Sequence, residues 1–435
     1  MTARKLALEA LVRMDRDGAF SNLLLDSLLG DSALDARNRR FVSALVYGVT
    51  ERKMTLDYFL KRHCKKLPRD PVLSALRLGI YQLYYMKSVP QSAAVNETVS
   101  LVRGAGEQHA SGFVNAVLRA AAKMEPTLPD GNSVETLSIR YSVAPGLLKE
   151  LIRDYGLENA EGILAASLSE DRLTHLRANT LKITAADLAQ RLSARLLPGP
   201  FQAVGSPGGD PASLPEFSEG LFHVQDLSSQ LCCALLNPKP GDLVFDACAA
   251  PGGKSFTLAQ MMENRGKILA AELHPARVNL ITSGARRLGI DIINAIAHDS
   301  QTPLLQKFDR ILCDVPCSGF GLMGKKPEIR YKNVTLLDTL PEIQYRILCV
   351  SSTMLMPGGR LIYSTCTLRR AENQEICSRF LRDNPDFSPV DFSETLAEFG
   401  VKKAETDQEP HMITLLPQNN STDGFFIAAF RCKHA

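Results

Sequence analysis

Apolar residues in the first 125 positions recur at spacings of three and four, as in Leu6, Leu8, Leu11 and Val12 and again in Leu73, Leu76, Ile80 and Leu83. That is the period of helices that bury one face. No strand-like alternation interrupts them, and breaks at Gly18, Gly30-Asp31, Leu67-Pro68 and Val89-Pro90 divide the run into helices of ordinary length. Residues 1–125 are therefore expected to form an all-α helical bundle. The turn-rich Leu128-Pro129-Asp130-Gly131-Asn132 reads as a linker. Residues 133–220 read as a small α+β domain, with a helical pattern from Pro145 to Tyr155, a strand at Leu176-Arg177-Ala178-Asn179-Thr180, a helix from Ala185 to Arg195 and a Gly/Pro loop from Ser206 to Pro215.

From Gly241 onward short apolar runs alternate with amphipathic helical stretches. Strands are expected at Leu243–Asp246, Ile268–Ala271, Ile292–Ala297, Arg310–Cys313 and Arg360–Ser364, followed by a pair at Met412–Leu416 and Phe425–Phe430. Repeating βα units imply a parallel sheet covered by helices, with ligands beyond the carboxyl ends of the strands. The third domain, an α/β Rossmann-like sheet, is placed at residues 221–435, and any chemistry belongs at those strand ends.

With 45% apolar and 22% charged residues the chain has the make-up of an ordinary folded protein, which excludes disorder as its theme. Its apolar stretches fall short of the roughly 18 residues a spanning helix needs, and Met1-Thr2-Ala3-Arg4-Lys5 leads into an amphipathic pattern, so a cytoplasmic protein with no membrane partner is expected. The ten cysteines lack paired C-x-x-C spacing, and a cytoplasmic setting keeps them reduced. Residues 1–125 hold 19 Lys/Arg against 12 Asp/Glu, a balance of +7, which leaves −4 for the rest of a chain whose net charge is +3. A basic module on a near-neutral body suits contact with a polyanion. Its densest cluster, Lys61-Arg62-His63-Cys64-Lys65-Lys66-Leu67-Pro68-Arg69, serves equally as a solvated helix end.

The strongest local signal is Asp246-Ala247-Cys248-Ala249-Ala250-Pro251-Gly252-Gly253-Lys254-Ser255, directly after the first strand of the βα region and opening a helix. A phosphate-binding G-x-x-x-x-G-K-[ST] loop would need glycine at Cys248, and G-x-G-x-x-G is absent. A nucleoside-type cofactor remains, with Glu272 at the end of the second strand for ribose hydroxyls and Asp299 after the third for an adenine amino group. Taken singly, either acid reads more simply as a cap or a solvated loop. Cys317, in Asp314-Val315-Pro316-Cys317-Ser318-Gly319, and Cys366, in Tyr363-Ser364-Thr365-Cys366-Thr367, end the fourth and fifth strands and would face one crevice. Cys366, followed by Arg369 and Arg370, has a nucleophile's address, because nearby positive charge lowers a thiol's pKa. Cys232, Cys233, Cys349 and Cys377 read as small buried hydrophobes. No metal site is expected, since Cys313-x-x-x-Cys317 has no second spaced pair.

Residues 220–431 resemble the RNA cytosine-5 methyltransferases of the Nol1/Nop2/Sun group in the Ala249-to-Lys254 turn, Asp314-x-Pro316-Cys317-Ser318-Gly319, Ser364-Thr365-Cys366-Thr367, Gln225-Asp226-x-Ser228-Ser229-Gln230 and Glu372-Asn373-x-Glu375. Ala75–Leu83 and Phe113–Arg119 are similar to the helical RNA-binding domain of NusB. Val315 stands where the group usually has Ala, Glu272 where Asp is commoner, and Phe320-Gly321 replaces its usual small or Leu residue before glycine.

The resemblance implies S-adenosylmethionine held by Cys248, Ala249, Ala250, Pro251, Gly252, Gly253, Lys254, Glu272, Asp299 and Asp314, and a substrate cytosine, unpaired or flipped, in 16S ribosomal RNA. It further implies Cys366 as the nucleophile adding to carbon 6, Asp314 on the pyrimidine edge stabilising charge at N3, and Cys317 in product release. The basic helical module and Arg177-x-Asn179 are expected to dock the RNA backbone, and a monomer is the default.

Overall fold

The computed structural model describes residues 2–17, 21–169, 173–206, 209–404 and 407–433. The break expected at Gly18 lies outside them. The chain divides into two compact units, Met1–Arg153 with Met323–Val334, and Asp154–Leu322 with Thr335–Ala435.

The first unit is helical. Helices span Ala3–Asp17, Ser21–Gly30, Ala36–Glu51, Lys53–Lys61, Val72–Tyr85, Gln91–Gly104, Ser111–Ala121 and Val134–Tyr141. Their starts and stops follow local chemistry: Asp35 accepts from the Asn38 amide and Ser133 from that of Thr136, while Leu67-Pro68 and Val89-Pro90 fall in the gaps. The apolar stripes meet in one core that includes Leu6, Leu45, Leu56, Phe59, Leu76, Ile80 and Leu118. Lys61, Arg62, Lys65, Lys66 and Arg69 are all exposed. Beside the core, the buried Arg77 guanidinium donates to both oxygens of Asp57 at 2.8 and 2.9 Å and to Asp15 at 2.8 Å. Removing it deprives Asp57 of its bidentate partner, while Asp15 keeps Lys53, so Arg77→Ala is expected to cost about 3 kcal/mol, read as a lower urea midpoint; an unchanged midpoint would make the network decorative.

One short segment of the βα region also belongs to this unit. In Met323–Val334 the Tyr331 hydroxyl donates to the Thr50 carbonyl at 2.7 Å and accepts from the Lys53 amide at 3.1 Å. The fully buried Arg330 donates to the Tyr141 carbonyl at 3.0 Å, and its own carbonyl accepts from the Ala144 amide at 2.8 Å.

In the second unit, β1 (Thr174–Ala178), β2 (Arg195–Leu196), β3 (Ala203–Ser206) and β4 (Phe222–Val224) make a small sheet in the order β2-β3-β1-β4. The helix expected to reach Arg195 stops at Arg191; Ser193 takes a left-handed φ of 49°, and Arg195 instead opens β2 against Gly205. Strand β1 ends two residues before the expected Thr180 because Asn179 turns its amide onto the Gly220 and Leu288 carbonyls at 2.9 and 2.8 Å. Arg177-x-Asn179 is accordingly not a backbone-docking surface. Asn179 is fully buried, and buried Arg177 donates to Gln230 and Gln260 at 2.9 and 3.1 Å.

The large sheet contains β5 (Leu243–Asp246), β6 (Lys267–Glu272), β7 (Ile293–Ala297), β8 (Phe308–Asp314), β9 (Leu355–Thr365), β10 (Phe387–Pro389), β11 (Met412–Leu415) and β12 (Phe425–Cys432). Its order is β10-β12-β9-β8-β5-β6-β7, with β11 on β12. Strands β5 to β9 pair in parallel, and β10 to β12 join antiparallel at one side. Residues alternate between two cores, as the strand period demands: Val244, Leu312, Ile362 and Ile427 enter one, Phe245, Ile311, Leu361 and Phe426 the other. This architecture brings the carboxyl ends of β7, β6, β5, β8 and β9 side by side.

Candidate active site

The chain leaves β5 at Asp246, whose carboxyl is fully buried and accepts from Ser255 Oγ at 2.6 Å; burial pushes it up to about 7. The turn over Cys248, Ala249, Ala250 and Pro251 closes at Gly252, with φ 111° and with Phe256 ring carbon 2.4 Å from where a Cβ would stand, so glycine is required there. The next helix, Gly253–Met261, begins with open space beside Gly253. Gln225 braces this turn, donating to the Gly253 carbonyl at 3.1 Å and accepting from Thr257 Oγ1 at 2.7 Å. Asp226 caps the helix Leu227–Leu236 through the Ser228 amide. Burial holds the Cys248 thiol well above its usual range.

Lys254 reaches from the first turn of that helix to Asp314 at the end of β8, with Nζ 2.6 Å from Oδ2. Burial penalises its ammonium, but the Asp314 carboxylate and the Cys232 and Cys233 thiols outweigh that and hold the proton more tightly than usual. Asp314 Oδ1 accepts from Ser364 Oγ at 2.8 Å, which ties β8 to β9. At the end of β6, buried Glu272 accepts from the His274 amide at 3.0 Å and pairs with Arg277 at 3.1 Å. Beyond β7, half-buried Asp299 accepts from the Gln301 amide at 3.0 Å. Carboxylates thus lie at the ends of four neighbouring strands.

The two cysteines meet. Cys317 Sγ and Cys366 Sγ are 3.2 Å apart, although 49 positions separate them in sequence. Neither is in a disulfide, and both are partly exposed. The hydrogen bond to Cys366, reinforced by burial and by Glu372 and Asp314, holds the Cys317 thiol well above its usual range, so Cys317 keeps its proton beside Cys366. The loops that carry them are locked together: Ser318 Oγ and Thr367 Oγ1 lie 2.6 Å apart, and the Gly321 amide donates to the Cys366 carbonyl at 3.0 Å. A Cβ on Gly321 would sit 1.7 Å from the Gly424 carbonyl oxygen. Gly321→Ala must therefore displace this backbone, with an expected stability loss of about 1–3 kcal/mol in urea titrations and separation of the two sulfurs. Phe320 is fully buried.

Fully buried Glu372 ties this region together in a way the sequence motif did not reveal. Its Oε2 accepts from the Ser318 amide at 2.9 Å and from Gln344 Nε2 at 2.8 Å, and its Oε1 lies 3.4 Å from Arg369. Asn373, next to it, accepts from Thr365 Oγ1 and donates to the Thr367 carbonyl, gripping both sides of Cys366. The motif Glu372-Asn373-x-Glu375 pointed to these residues without a role, and nothing local marked Gln344. Arg369, expected to act on the Cys366 thiol, directs its guanidinium to Glu372 and Asp338. Cys232, Cys233 and Cys377 are buried and Cys349 half-buried, and burial, with the Asp314 and Asp246 carboxylates nearby, raises the Cys232 thiol to about 12. Among the described residues no group of three or more His, Cys, Asp or Glu side chains is arranged to hold a metal ion, and no helix is long and apolar enough to cross a membrane.

Comparison with known proteins adds independent findings. Residues 233–431 match the family model "16S rRNA methyltransferase RsmB/F", and residues 1–123 match the NusB family. The chain is 36% identical to the probable ribosomal RNA small subunit methyltransferase B of Bacillus subtilis (strain 168), over 99% of both chains. A solved structure of PH0851 shares the fold over 98% of both chains, with a TM-score of 0.81 at 22% identity. NSun6 from Pyrococcus horikoshii, solved with SFG, covers 67% of this chain and 98% of its own, with a TM-score of 0.60 at 21% identity.

Proposed function

Because the chain belongs to the RsmB/F family of 16S rRNA methyltransferases, we propose that it methylates carbon 5 of one cytosine in 16S rRNA, with S-adenosylmethionine as donor and a covalent link between Cys366 and carbon 6. The observation that carries this reading is the 3.2 Å approach of Cys317 and Cys366 at the ends of adjacent parallel strands. Open space beside Gly253 and the carboxylates of Glu272 and Asp299 on the neighbouring strand ends fit a nucleoside-bearing donor. Cys248 to Lys254, Glu272, Asp299 and Asp314 would hold it. NSun6 with SFG supports the same choice. Bound there, the sulfonium supplies an electrophilic methyl group.

The chain's own residues supply the rest. Carbon 5 of cytosine is a poor nucleophile until a thiolate adds to carbon 6, opening the C5=C6 bond and leaving an enamine-like carbon 5. Cys366 makes that bond. Asp314 holds the pyrimidine edge, and the Lys254 ammonium 2.6 Å from it provides the positive charge against which density at N3 builds. Once Cys366 is bound to carbon, Cys317 no longer shares its proton with that sulfur; with that proton released to solvent, its thiolate accepts the proton from carbon 5. The electrons of that C–H bond restore C5=C6 and expel Cys366 as thiolate. The target base must leave its stack to reach both sulfurs, and the basic helical unit engages the RNA backbone, giving affinity that falls steeply with salt.

Bisulfite sequencing of rRNA from a strain lacking the protein tests the reading. One 5-methylcytosine in 16S rRNA should disappear and return when the wild-type chain is supplied. Loss of a methyl group at any other atom, or of none, would refute it.

A further inference from the structure

We propose that Cys317 and Cys366 are also a modification site, closing reversibly to a disulfide under hydrogen peroxide and thereby switching the methyltransferase off. The switch-off rests on the function proposed above; formation of the bond does not. Sulfurs 3.2 Å apart need to approach by only about 1.2 Å to reach a bonded separation of roughly 2.05 Å. Both thiols are partly exposed, so a small oxidant reaches them, whereas Cys232, Cys233, Cys313 and Cys377 are buried. The surrounding contacts favour closure over escape: Ser318 with Thr367, and the Gly321 amide with the Cys366 carbonyl, keep the two loops together.

The chemistry balances with peroxide as the two-electron oxidant. Cys366 thiolate attacks one peroxide oxygen, the O–O bond breaks, and hydroxide leaves as a sulfenic acid forms on Cys366. Cys317 sulfur then attacks the Cys366 sulfur, the S–O bond breaks, and the departing hydroxide takes the Cys317 proton as water. Two thiols lose two electrons and two protons, and peroxide becomes two waters. Cys317 thus acts as the resolving partner that stops Cys366 from advancing to the irreversible sulfinic acid. In the disulfide neither sulfur can attack carbon 6 or accept a proton.

The full-length protein, exposed to hydrogen peroxide, alkylated and digested, should yield a Cys317–Cys366 linked peptide by mass spectrometry. Methylation of 16S rRNA should fall in proportion to the linked fraction and return with dithiothreitol. In Cys317→Ser, the same exposure should drive Cys366 to sulfinic acid, which dithiothreitol does not reverse. Wild-type protein in which Cys366 becomes sulfinic acid while Cys317 stays a free thiol would overturn the proposal. So would both thiols surviving peroxide that oxidises a reference dithiol. If the reduced enzyme methylates no rRNA but the linked peptide forms, the functional reading falls and the oxidation site stands.

Discussion

Cys366→Ala is expected to abolish methyl transfer, with a loss on the order of 10⁴-fold or more, because removing a covalent nucleophile removes the pathway and not one contribution to it. The fold should survive. Cys366 packs at the margin of its core as a partly buried side chain, and its backbone is held by the Gly321 amide whatever the side chain. Tritium transfer from labelled S-adenosylmethionine to rRNA measures the loss, while unchanged urea midpoints show that the protein remains folded. Residual transfer within tenfold of wild type would remove Cys366 from the nucleophile's role.

The second large effect has the opposite appearance. Cys317→Ala should still attack and still receive the methyl group, but the proton on carbon 5 then has no acceptor and Cys366 cannot depart. Turnover should fall by about 10²–10⁴-fold, the range of a lost general base. The protein should accumulate as an RNA adduct that survives SDS, visible as a band of reduced mobility carrying tritium from the labelled donor. The double variant Cys317→Ala/Cys366→Ala should show no such band. Normal product release by Cys317→Ala would mean that another group takes the proton.

Much of this architecture is legible because strand ends are marked locally. The apolar run Leu243–Asp246 matches β5 residue for residue, and the runs around Ile311 and Ile362 locate β8 and β9 well enough to bring Cys317 and Cys366 to one edge. Once the strands are parallel neighbours, register brings Asp314 opposite Ser364 and carries both cysteines to one edge, and contacts between the loops beyond the strands bring the two sulfurs together. Lys254 reads as part of the cofactor turn, yet its ammonium goes to Asp314 because burial demands a counter-charge, and only the packed sheet brings one within reach.

What the sequence hides depends on distant partners. Arg177 and Asn179 are polar and read as surface, but two glutamine side chains and two backbone carbonyls satisfy them inside. Glu372 gains its importance from the Ser318 amide and Gln344, 54 and 28 positions away. Tyr331 lies in what reads as the βα region, and its hydroxyl bonds a helix carbonyl 281 positions earlier. No periodicity or turn chemistry encodes such contacts, because each polar group is placed by a neighbour absent from its own window.

The most direct measurement is the site of attachment in the trapped Cys317→Ala complex. Digested with nuclease and protease and read by mass spectrometry, it should contain a methylated cytidine nucleotide bound to the peptide bearing Cys366. A nucleotide on any other residue, or a stalled complex with no covalent link, would contradict catalysis through that sulfur.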